Sequence, residues 1–544
     1  MAARSVITSN HVYLDRSHAD VRAAIVIEGS RIRAVCAPED APFVAGDDAS
    51  VRDFGDAFVC PGFHDAHQHV FHTALFNSDL ALSCPGTSEA DCVDKMRAFA
   101  DRSSGASAPR WLIGQGWRQD LWDPAVAPTR ASLDAAFPDR PVAMYSGDLH
   151  TLWLNSRGLA ELDVTDDTVP PPGGSFDRDA DGHLTGVLRE AAGMVYVARV
   201  FATLPKDAVM RAYRSHFEKS LRLGVTGVCD MALSAIPGAD CVNEDVYEAL
   251  LAHGELPLRA HLFPQNTGDL ERVEALQARL TGELLRAPGT KQFFDGVSSA
   301  HTAWLLEPYA NARFEGDCGR PTVEPEAMRA YVLAAAEHGI ATRIHTIGDR
   351  AIRSAIEIFA EARERFGAPR QGANTIEHVE GLWPADVRAM ADIGLVASVQ
   401  PQHAVIDVTQ PERDLGAERA AFMWPFASFA RAGVPMAFGS DAPCVPYRPM
   451  EVLSCATTRE VPATCEPRGG WLPEQRISMA AAIDAYTRGS AVACGREAEL
   501  GTLAPGRLAD LVVLDRNLMD ADPERIQDTR TLATYVGGEL AWEV

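Results

Sequence analysis

The sequence predicts an α/β fold: a (β/α)8 TIM barrel with a small β-sandwich domain built from both termini and an insertion after the first barrel strand. Three observations support this prediction. Short apolar segments alternate with amphipathic helices in the middle of the chain, both ends are rich in strands, and one connection is far longer than a loop. With 544 residues, the chain is long enough for one large domain and a smaller one.

The predicted barrel strands are short apolar segments separated by helical stretches. In the helical stretches 324–338 and 349–366, apolar residues recur every three or four positions, as on one face of a helix. Eight strands with intervening helices match the count of the barrel. The predicted strands are 58–63, 224–230, 256–262, 291–295, 341–345, 374–378, 395–400 and 434–441.

Both ends of the chain carry strand patterns that predict one shared β domain. Residues 24–35 form two β-branched runs around Gly29, as in a hairpin, and residues 511–515 and 532–540 have the same character. We expect residues 1–59 and 495–544 to form this composite domain and residues 60–494 to form the barrel. A subdomain at about 75–200 fills the long connection after the first strand.

The composition is that of an ordinary globular enzyme, with 47% hydrophobic and 23% charged residues. A net charge of −25 disfavours nucleic acid and anionic membranes as partners, and a small-molecule substrate fits better. The eleven cysteines include no CxxC pair, and the first residues lack the apolar run of a signal peptide. We therefore expect a cytoplasmic protein, and a homo-oligomer as is common for such barrels.

Active sites of these barrels lie at the C-terminal ends of the strands. His67 and His69 are two residues apart, so on a strand both face the same way and suit one metal ion. Lys291 cannot bind metal as an ammonium, but a carbamate formed with CO2 is a carboxylate able to bridge two metals. The candidate metal ligands at predicted strand ends are His67, His69, Lys291, His345, His378 and Asp441.

Each candidate also has a purely structural explanation. Among 16 histidines an HxH pair arises by chance, and a single buried histidine is more often hydrogen-bonded than metal-bound. Asp441 has the position of a helix cap, although a carboxylate there also suits a metal ligand that shuttles a proton. Only four of the 50 basic residues are lysines, which favours a function for Lys291 inside an apolar strand.

Taken together, these motifs resemble the amidohydrolase superfamily, and within it the YtcJ-like branch that includes the N-substituted formamide deformylases. The resemblance extends from about Val26 to Asp515, and it depends on the order and spacing of the motifs rather than on any one of them. The matching segments are PGFHDAHQH at 61–69, LHTLWLNSRGL at 149–159, DGHLTGVLRE at 181–190, KQFFDG at 291–296, HTIGDRAI at 345–352, IEHVE at 376–380, SVQPQH at 398–403, FGSDAP at 438–443 and GTLAPGRLADLVVLD at 501–515.

The resemblance implies a metal centre with one or two divalent ions, zinc in the first instance. In the family pattern His67 and His69 hold the more buried metal together with Asp441. A carboxylated Lys291 bridges the two metals. The second metal is held by His345 and His378.

The resemblance also implies a substrate pocket covered by the insertion. Trp117, Asp148 and His150 lie in motifs of the insertion and are candidate substrate contacts, although they would equally serve to hold the insertion together. Gln402 and His403, just after the seventh strand, are candidates for the pocket wall. His64 departs from the branch pattern, and it is either a partner of the metal ligands or an inert histidine.

The predicted function is hydrolysis of an amide-like C–N bond in an N-formyl or N-acyl small molecule, with a metal-bound hydroxide as the nucleophile and Asp441 as the catalytic proton carrier. A mononuclear deaminase of a ring amidine is the first alternative, and in it Lys291 is a spectator. A non-catalytic scaffold is the second alternative. The presence of every expected ligand argues against the scaffold.

Overall fold

The computed structural model describes residues 4–46, 48–102, 110–147, 149–233 and 240–544. Its strands follow the short apolar and β-branched segments of the sequence. In chain order they are β1 (Arg4–Val12), β2 (Val21–Glu28), β3 (Arg31–Cys36), β4 (Ser50–Asp53), β5 (Phe58–Pro61), β6 (Phe63–Gln68), β7 (Leu82–Ser83), β8 (Leu112–Trp117), β9 (Val142–Ser146), β10 (Thr151–Leu154), β11 (Gly174–Arg178), β12 (Leu184–Glu190), β13 (Val225–Met231), β14 (Arg259–Phe263), β15 (Leu285–Arg286), β16 (Gly289–Phe293), β17 (Ala341–Thr346), β18 (Thr375–His378), β19 (Val396–Val399), β20 (Met436–Phe438), β21 (Leu511–Leu514), β22 (Thr531–Val536) and β23 (Glu539–Glu543).

The helices lie mainly between the strands of the middle of the chain. Within the described residues, none of them is both long enough and apolar enough to cross a bilayer. In chain order they are α1 (Ala41–Ala45), α2 (Val70–Phe76), α3 (Glu89–Arg102), α4 (Arg130–Ala136), α5 (Ser156–Glu161), α6 (Ala191–Phe201), α7 (Lys206–Arg222), α8 (Glu244–Ala252), α9 (Glu271–Arg279), α10 (Pro325–Glu337), α11 (Asp349–Phe366), α12 (Pro384–Ile393), α13 (Gln410–Leu415), α14 (Ala417–Ala420), α15 (Phe426–Ala432), α16 (Pro449–Thr458), α17 (Met479–Asp484) and α18 (Ser490–Ala493).

Strands from both ends of the chain share one eight-stranded sheet. Its order is β23-β22-β21-β5-β1-β2-β3, and β4 pairs with β1. Side chains alternate across β21, as the period of a strand requires. Leu511 and Val513 pack with Ile7 in the sheet's own core, whereas Val512 and Leu514 join the large core of the middle of the chain.

The segment between α2 and α7 forms a unit with its own sheet and its own core. The sheet has the order β11-β12-β10-β9-β8-β7. Trp117, Met144 and Trp153 are among the buried residues of its core, which is separate from the large one. The large aromatic and apolar side chains of this segment therefore mainly form its core.

The remaining strands form two parallel sheets, one with the order β15-β14-β13-β6 and one with the order β16-β17-β18-β19-β20. Hydrogen bonds outside these ladders join the two sheets at two places, one between β16 and the residue after β14, and one between the segment after β20 and β6. At one seam Lys291 N donates to Pro264 O over 2.9 Å, and at the other Asp441 N donates to His67 O over 2.7 Å. The C-terminal ends of the parallel strands therefore lie at one edge, where the candidate ligands occur.

The predicted first strand at 58–63 is wrong, because the chain changes sheets within it. β5 pairs with β1 and β21 of the eight-stranded sheet, and β6 pairs with β13 of the parallel sheet. Gly62 lies at the crossing, where an added Cβ would come within 2.3 Å of the Thr226 side chain. Only glycine fits such a close approach of two segments.

A buried ion pair fastens the eight-stranded sheet to the parallel strands. Arg259 of β14 donates through Nε and Nη2 to the two carboxylate oxygens of Asp510, at 2.6 and 2.7 Å. Asp510 immediately precedes β21 and also accepts a hydrogen bond from Gly537 N at 2.7 Å. Both side chains are almost fully buried, so neither charge has water as an alternative partner.

Replacing Arg259 by methionine is expected to destabilise the protein by about 3–5 kcal/mol, because Asp510 keeps a buried charge without its partner. The exposed pair of Arg22 and Glu39 supplies the control, and Arg22→Met is expected to cost about 0–1 kcal/mol. Urea unfolding of both variants measures the difference. Equal midpoints for the two variants would contradict a structural role of the buried pair.

Candidate metal centre

The parallel strands bring the predicted ligands together at one end of the sheets. β6 carries His67 next to its end, β16 carries Lys291, β17 carries His345, and β18 ends at His378. Asp441 follows β20 after two intervening residues. All of them are buried, with exposed fractions from 0% for His67 and Lys291 to 7% for Asp441. Water cannot reach their polar atoms, so these atoms need each other or a bound ion as interaction partners.

Asp441 lies against both members of the HxH pair. One carboxylate oxygen, Oδ1, is 3.3 Å from His67 Nε2 and 3.2 Å from His69 Nε2. Burial raises the pKa of Asp441, but the contacts with His67 and His69 outweigh it and hold that pKa well below the usual carboxyl range. Burial also lowers the pKa of His69. At neutral pH Asp441 is thus a carboxylate and His69 a neutral imidazole, which are the protonation states that metal binding requires.

The position of Asp441 is set by a close approach between β6 and the segment after β20. An added Cβ on Gly439 would lie 2.5 Å from His67 N. Asp65 then accepts hydrogen bonds from the backbone N and the hydroxyl of Ser440, at 2.9 and 2.6 Å. Asp441 itself has a φ of 60°, which is uncommon for a residue other than glycine. Sequence reasoning missed Asp65, although it lies in the same motif as the histidines.

Three of the histidines are oriented by an acceptor at Nδ1, which leaves Nε2 for a metal. The acceptors are Glu377 Oε2 for His67 at 2.6 Å, Met231 O for His69 at 3.0 Å and Gln400 Oε1 for His378 at 2.9 Å. Sequence reasoning missed all three acceptors. Gln400 stands in a motif of the resemblance, but nothing in a single sequence pairs it with a histidine.

Glu377 and His378 are consecutive, yet both side chains reach His67. Along a regular strand such neighbours point to opposite faces. His378 has a φ of 70°, so the strand ends there and its ring turns to lie 5.0 Å from that of His67. Glu377 also pairs with the buried guanidinium of Arg343, which helps to hold the pKa of Glu377 well below its usual range despite burial.

Lys291 and His345 complete the other side of the centre. Lys291 Nζ is buried, and within the described part of the chain it has no hydrogen-bond partner. Burial lowers the pKa of Lys291 to about 8. The His345 ring lies 4.4 Å from the His378 ring, and burial holds the pKa of both well below the usual histidine value. Burying an amine without a hydrogen-bond partner costs free energy, so packing alone does not explain Lys291 at this position.

His403 also belongs to this cluster. Its Nε2 lies 3.7 Å from Asp441 Oδ2, and its ring stacks parallel to that of His378 at 6.1 Å. Burial lowers the pKa of His403, but the carboxylates of Glu380 and Asp441 outweigh it and raise that pKa above the usual histidine value. The direction of this pKa shift is opposite to that of His69, His345 and His378, so His403 favours its charged form more than they do.

The other predicted pocket residues have separate environments. Gln402 Nε2 donates to Glu451 at 3.2 Å. His150 Nδ1 lies 2.7 Å from Glu190 Oε2, and the charge of His150 contributes to the lowered pKa of His345. Trp117 is buried in the core of the insertion, where its Nε1 donates to a backbone oxygen at 3.0 Å. Asp148 lies outside the described residues.

The side chains at this end of the sheets fit a divalent ion. His67, His69 and Asp441 form one group, and His378, His403 and Asp441 form another, each with ligand atoms within 4.8 Å of one another. Neutral imidazole and carboxylate are common ligands of zinc and related ions. His67 Nε2 is buried without a hydrogen-bond partner among the described residues, as expected of a group that holds an ion.

Comparison with curated proteins shows three relatives of similar length. The chain is 28% identical to "Protein LONG AFTER FAR-RED 3" of Arabidopsis thaliana, over 99% of this chain and 91% of that protein. It is 26% identical to "Putative amidohydrolase YtcJ" of Bacillus subtilis, over 90% and 89%. It is also 26% identical to "N-substituted formamide deformylase" of Arthrobacter pascens, over 96% and 95%.

The fold is similar to that of a solved structure described as an uncharacterized metal-dependent hydrolase from Pyrococcus horikoshii. The TM-score is 0.76 at 23% identity, covering 96% of this chain and 99% of that one. The model of the amidohydrolase family (Amidohydro_3) matches residues 50–541, nearly the whole chain. These findings confirm the resemblance drawn from the motifs, and the chain belongs to the amidohydrolase family.

Proposed function

We propose that the protein is a metal-dependent hydrolase that cleaves the C–N bond of a small N-formyl or N-acyl compound. The observation that carries the proposal is the Asp441 carboxylate, whose Oδ1 lies 3.3 and 3.2 Å from Nε2 of His67 and His69 at the strand ends. The relative named N-substituted formamide deformylase supports an acyl substrate of this class.

The proposed metal ligands form two sets, and Lys291 would belong to both. His67, His69 and Asp441 would hold one ion, and His345 and His378 would hold the other. When bound, divalent ions of the zinc type polarise a carbonyl group and lower the pKa of water to about 7. Burial lowers the pKa of His69, His345 and His378, so these three bind an ion without first losing a proton.

Lys291 acts in this proposal as a carboxylated lysine. Its amine nitrogen adds to the carbon of CO2, and one proton is lost, which leaves a carbamate with a single negative charge. The side chain is fully buried, and Nζ has no hydrogen-bond partner within the described residues. A carboxylate at this place supplies the negative charge that the nearby histidines lack and that two dications require.

Asp441 is the proposed catalytic proton carrier. Its carboxylate takes the proton of the attacking water and passes it to the leaving nitrogen, which cannot depart as an anion. His403, held 3.7 Å from Asp441 Oδ2 and favouring its charged form, is proposed to contact the carbonyl oxygen of the substrate. His150 of the insertion is proposed to contact the substrate from the opposite side. Gln402 is proposed to support the pocket wall.

We also propose that the two parallel sheets form one closed (β/α)8 barrel. Hydrogen bonds at both seams support closure, because one joins β16 to the residue after β14 and the other joins the segment after β20 to β6. In this arrangement residues 60–494 form the barrel, and the insertion covers the strand ends that carry the ligands.

Asp441→Asn is expected to lower turnover by at least about 10²-fold, because the amide cannot accept the proton. Zinc-loaded wild-type and variant proteins are compared on a panel of N-formyl, N-acetyl, carbamate, lactam and ester compounds. The exposed Asp94→Asn serves as the matched control and is expected to keep wild-type rates. Wild-type turnover in Asp441→Asn would contradict its role, and hydrolysis of esters alone would contradict the proposed bond.

Lys291→Ala is expected to bind less metal than the wild type by about one ion per chain, because the bridging carboxylate is lost. Metal is measured by plasma mass spectrometry on protein prepared with bicarbonate and without chelator. Lys219→Ala, which changes an exposed lysine, is the control. Unchanged metal and activity in Lys291→Ala would favour the mononuclear deaminase, in which Lys291 is a spectator.

Glu377→Gln is expected to weaken zinc binding by about 10–100-fold, because His67 loses the carboxylate that orients its ring. Competition with a chelator measures the affinity at a temperature where circular dichroism shows the variant to be folded. Glu361→Gln, which changes a partly exposed carboxylate paired with Arg329, is the matched control. If a folded Glu377→Gln protein binds zinc as tightly as the wild type, Glu377 is a packing residue only.

A further inference from the structure

A second group of metal-binding side chains lies within the parallel sheets, apart from the candidate metal centre. His64 lies on β6, Cys229 on β13 and His261 on β14, and Cys494 directly follows α18. All four are buried, and their donor atoms lie within 4.8 Å of one another. We call these four residues the cysteine–histidine cluster.

Arg343 separates this cluster from the candidate metal centre. On one side its guanidinium pairs with Glu377, the acceptor for His67. On the other side the guanidinium carbon lies 4.7 Å from the centroid of the Phe263 ring, which packs against Cys229 and Cys494. The guanidinium thus lies between the two groups, and no residue belongs to both.

The donor atoms have nearly the spacing of a tetrahedral site. The sulfur atoms of Cys229 and Cys494 are 3.1 Å apart, and His64 Nε2 lies 3.8 and 3.9 Å from them. A tetrahedral zinc ion with Zn–S of about 2.3 Å and Zn–N of about 2.0 Å separates its ligand atoms by about 3.3–3.8 Å. Tetrahedral geometry with these bond lengths places two sulfur atoms about 3.8 Å apart and a sulfur and a nitrogen atom about 3.5 Å apart. The sulfur atoms therefore need to move apart by about 0.7 Å, and His64 Nε2 needs to approach them by about 0.3–0.4 Å.

His261 brings one imidazole nitrogen to the same group of ligand atoms. Its Nδ1 is buried and has no hydrogen-bond partner among the described residues, and its ring lies 4.8 Å from that of His64. Its Nε2 lies 3.4 Å from Arg496 Nη1, a long contact. Arg496 Nη1 makes its shorter bond, of 2.7 Å, to the backbone oxygen of Glu283, so the contact with His261 is secondary.

The surroundings fit a bound dication with two thiolates. Met231 and Phe263 pack against the two cysteines, so no water replaces a missing partner there. Arg343 is already paired with Glu377, and Arg496 with Glu499 at 2.9 Å. A divalent ion that displaces one proton from each thiol leaves the cluster with no net charge, which burial favours.

We propose that the cysteine–histidine cluster is a structural zinc site, with Cys229, Cys494, His64 and His261 as ligands. Binding forms two Zn–S and two Zn–N bonds and releases one proton from each cysteine. Two cysteines and two histidines are a common donor set of structural zinc. The ion links β6, β13 and β14 to the end of α18 and so fastens a C-terminal segment against the first strands of the parallel sheets.

Cobalt substitution of the wild-type protein tests the proposal without any mutation. Cobalt(II) bound to thiolate gives strong near-ultraviolet charge-transfer absorption, whereas cobalt bound to histidine and carboxylate does not. We expect this absorption in the full-length protein loaded with cobalt under reducing conditions. Its absence overturns the proposal, whatever the activity of the histidine–aspartate centre.

The double variant Cys229→Ala/Cys494→Ala tests whether these two cysteines are the thiolate ligands of the bound ion. It is expected to lose the charge-transfer absorption and to bind less zinc than the wild type by about one ion per chain. Cys60→Ala, which changes a buried cysteine outside the cluster, is expected to keep both. Unchanged zinc in the double variant overturns the proposal. A thiol count of the denatured wild type that falls two short of its eleven cysteines also overturns it, because the pair would then form a disulfide.

Discussion

The interior of the parallel sheets depends on the buried carboxylate of Glu377. One oxygen accepts a hydrogen bond from His67 Nδ1 at 2.6 Å, and the other pairs with Arg343. Neither Glu377 nor Arg343 exposes any side-chain surface, so each charge would cost several kcal/mol without the other. Arg343 also donates to Ala66 O at 2.8 Å and to Ser398 Oγ at 3.1 Å, and the network therefore connects four strands.

The same network links packing to chemistry. A histidine whose Nδ1 is held by a carboxylate presents Nε2 in a fixed direction, and for His67 that direction is toward Asp441. The backbone departs from regular structure at His378 and Asp441, with φ values of 70° and 60°. Such backbone conformations persist only where the surrounding structure fixes them. Here they direct the side chains of His378 and Asp441 toward the same small volume.

Charge balance also explains why two metal-binding groups can lie near each other in one interior. The candidate metal centre combines imidazoles with carboxylates, and the cysteine–histidine cluster combines imidazoles with thiols. Arg343 lies between them and is neutralised by Glu377. The negative ligands of each group thus balance the charge of the ion proposed for that group. Neither group needs a distant charge to neutralise it across the protein interior.

The sequence by itself determined the family, seven of the eight predicted barrel strands and the positions of the candidate ligands. Apolar runs and an HxH pair are local patterns, and local patterns are visible without a fold. Only the tertiary structure decided that the chain changes sheets at Gly62, that Glu377 and Gln400 orient the histidines, and that Cys494 meets His64 from a distance of 430 residues. Such contacts depend on which strands become neighbours, and no spacing along one sequence records that.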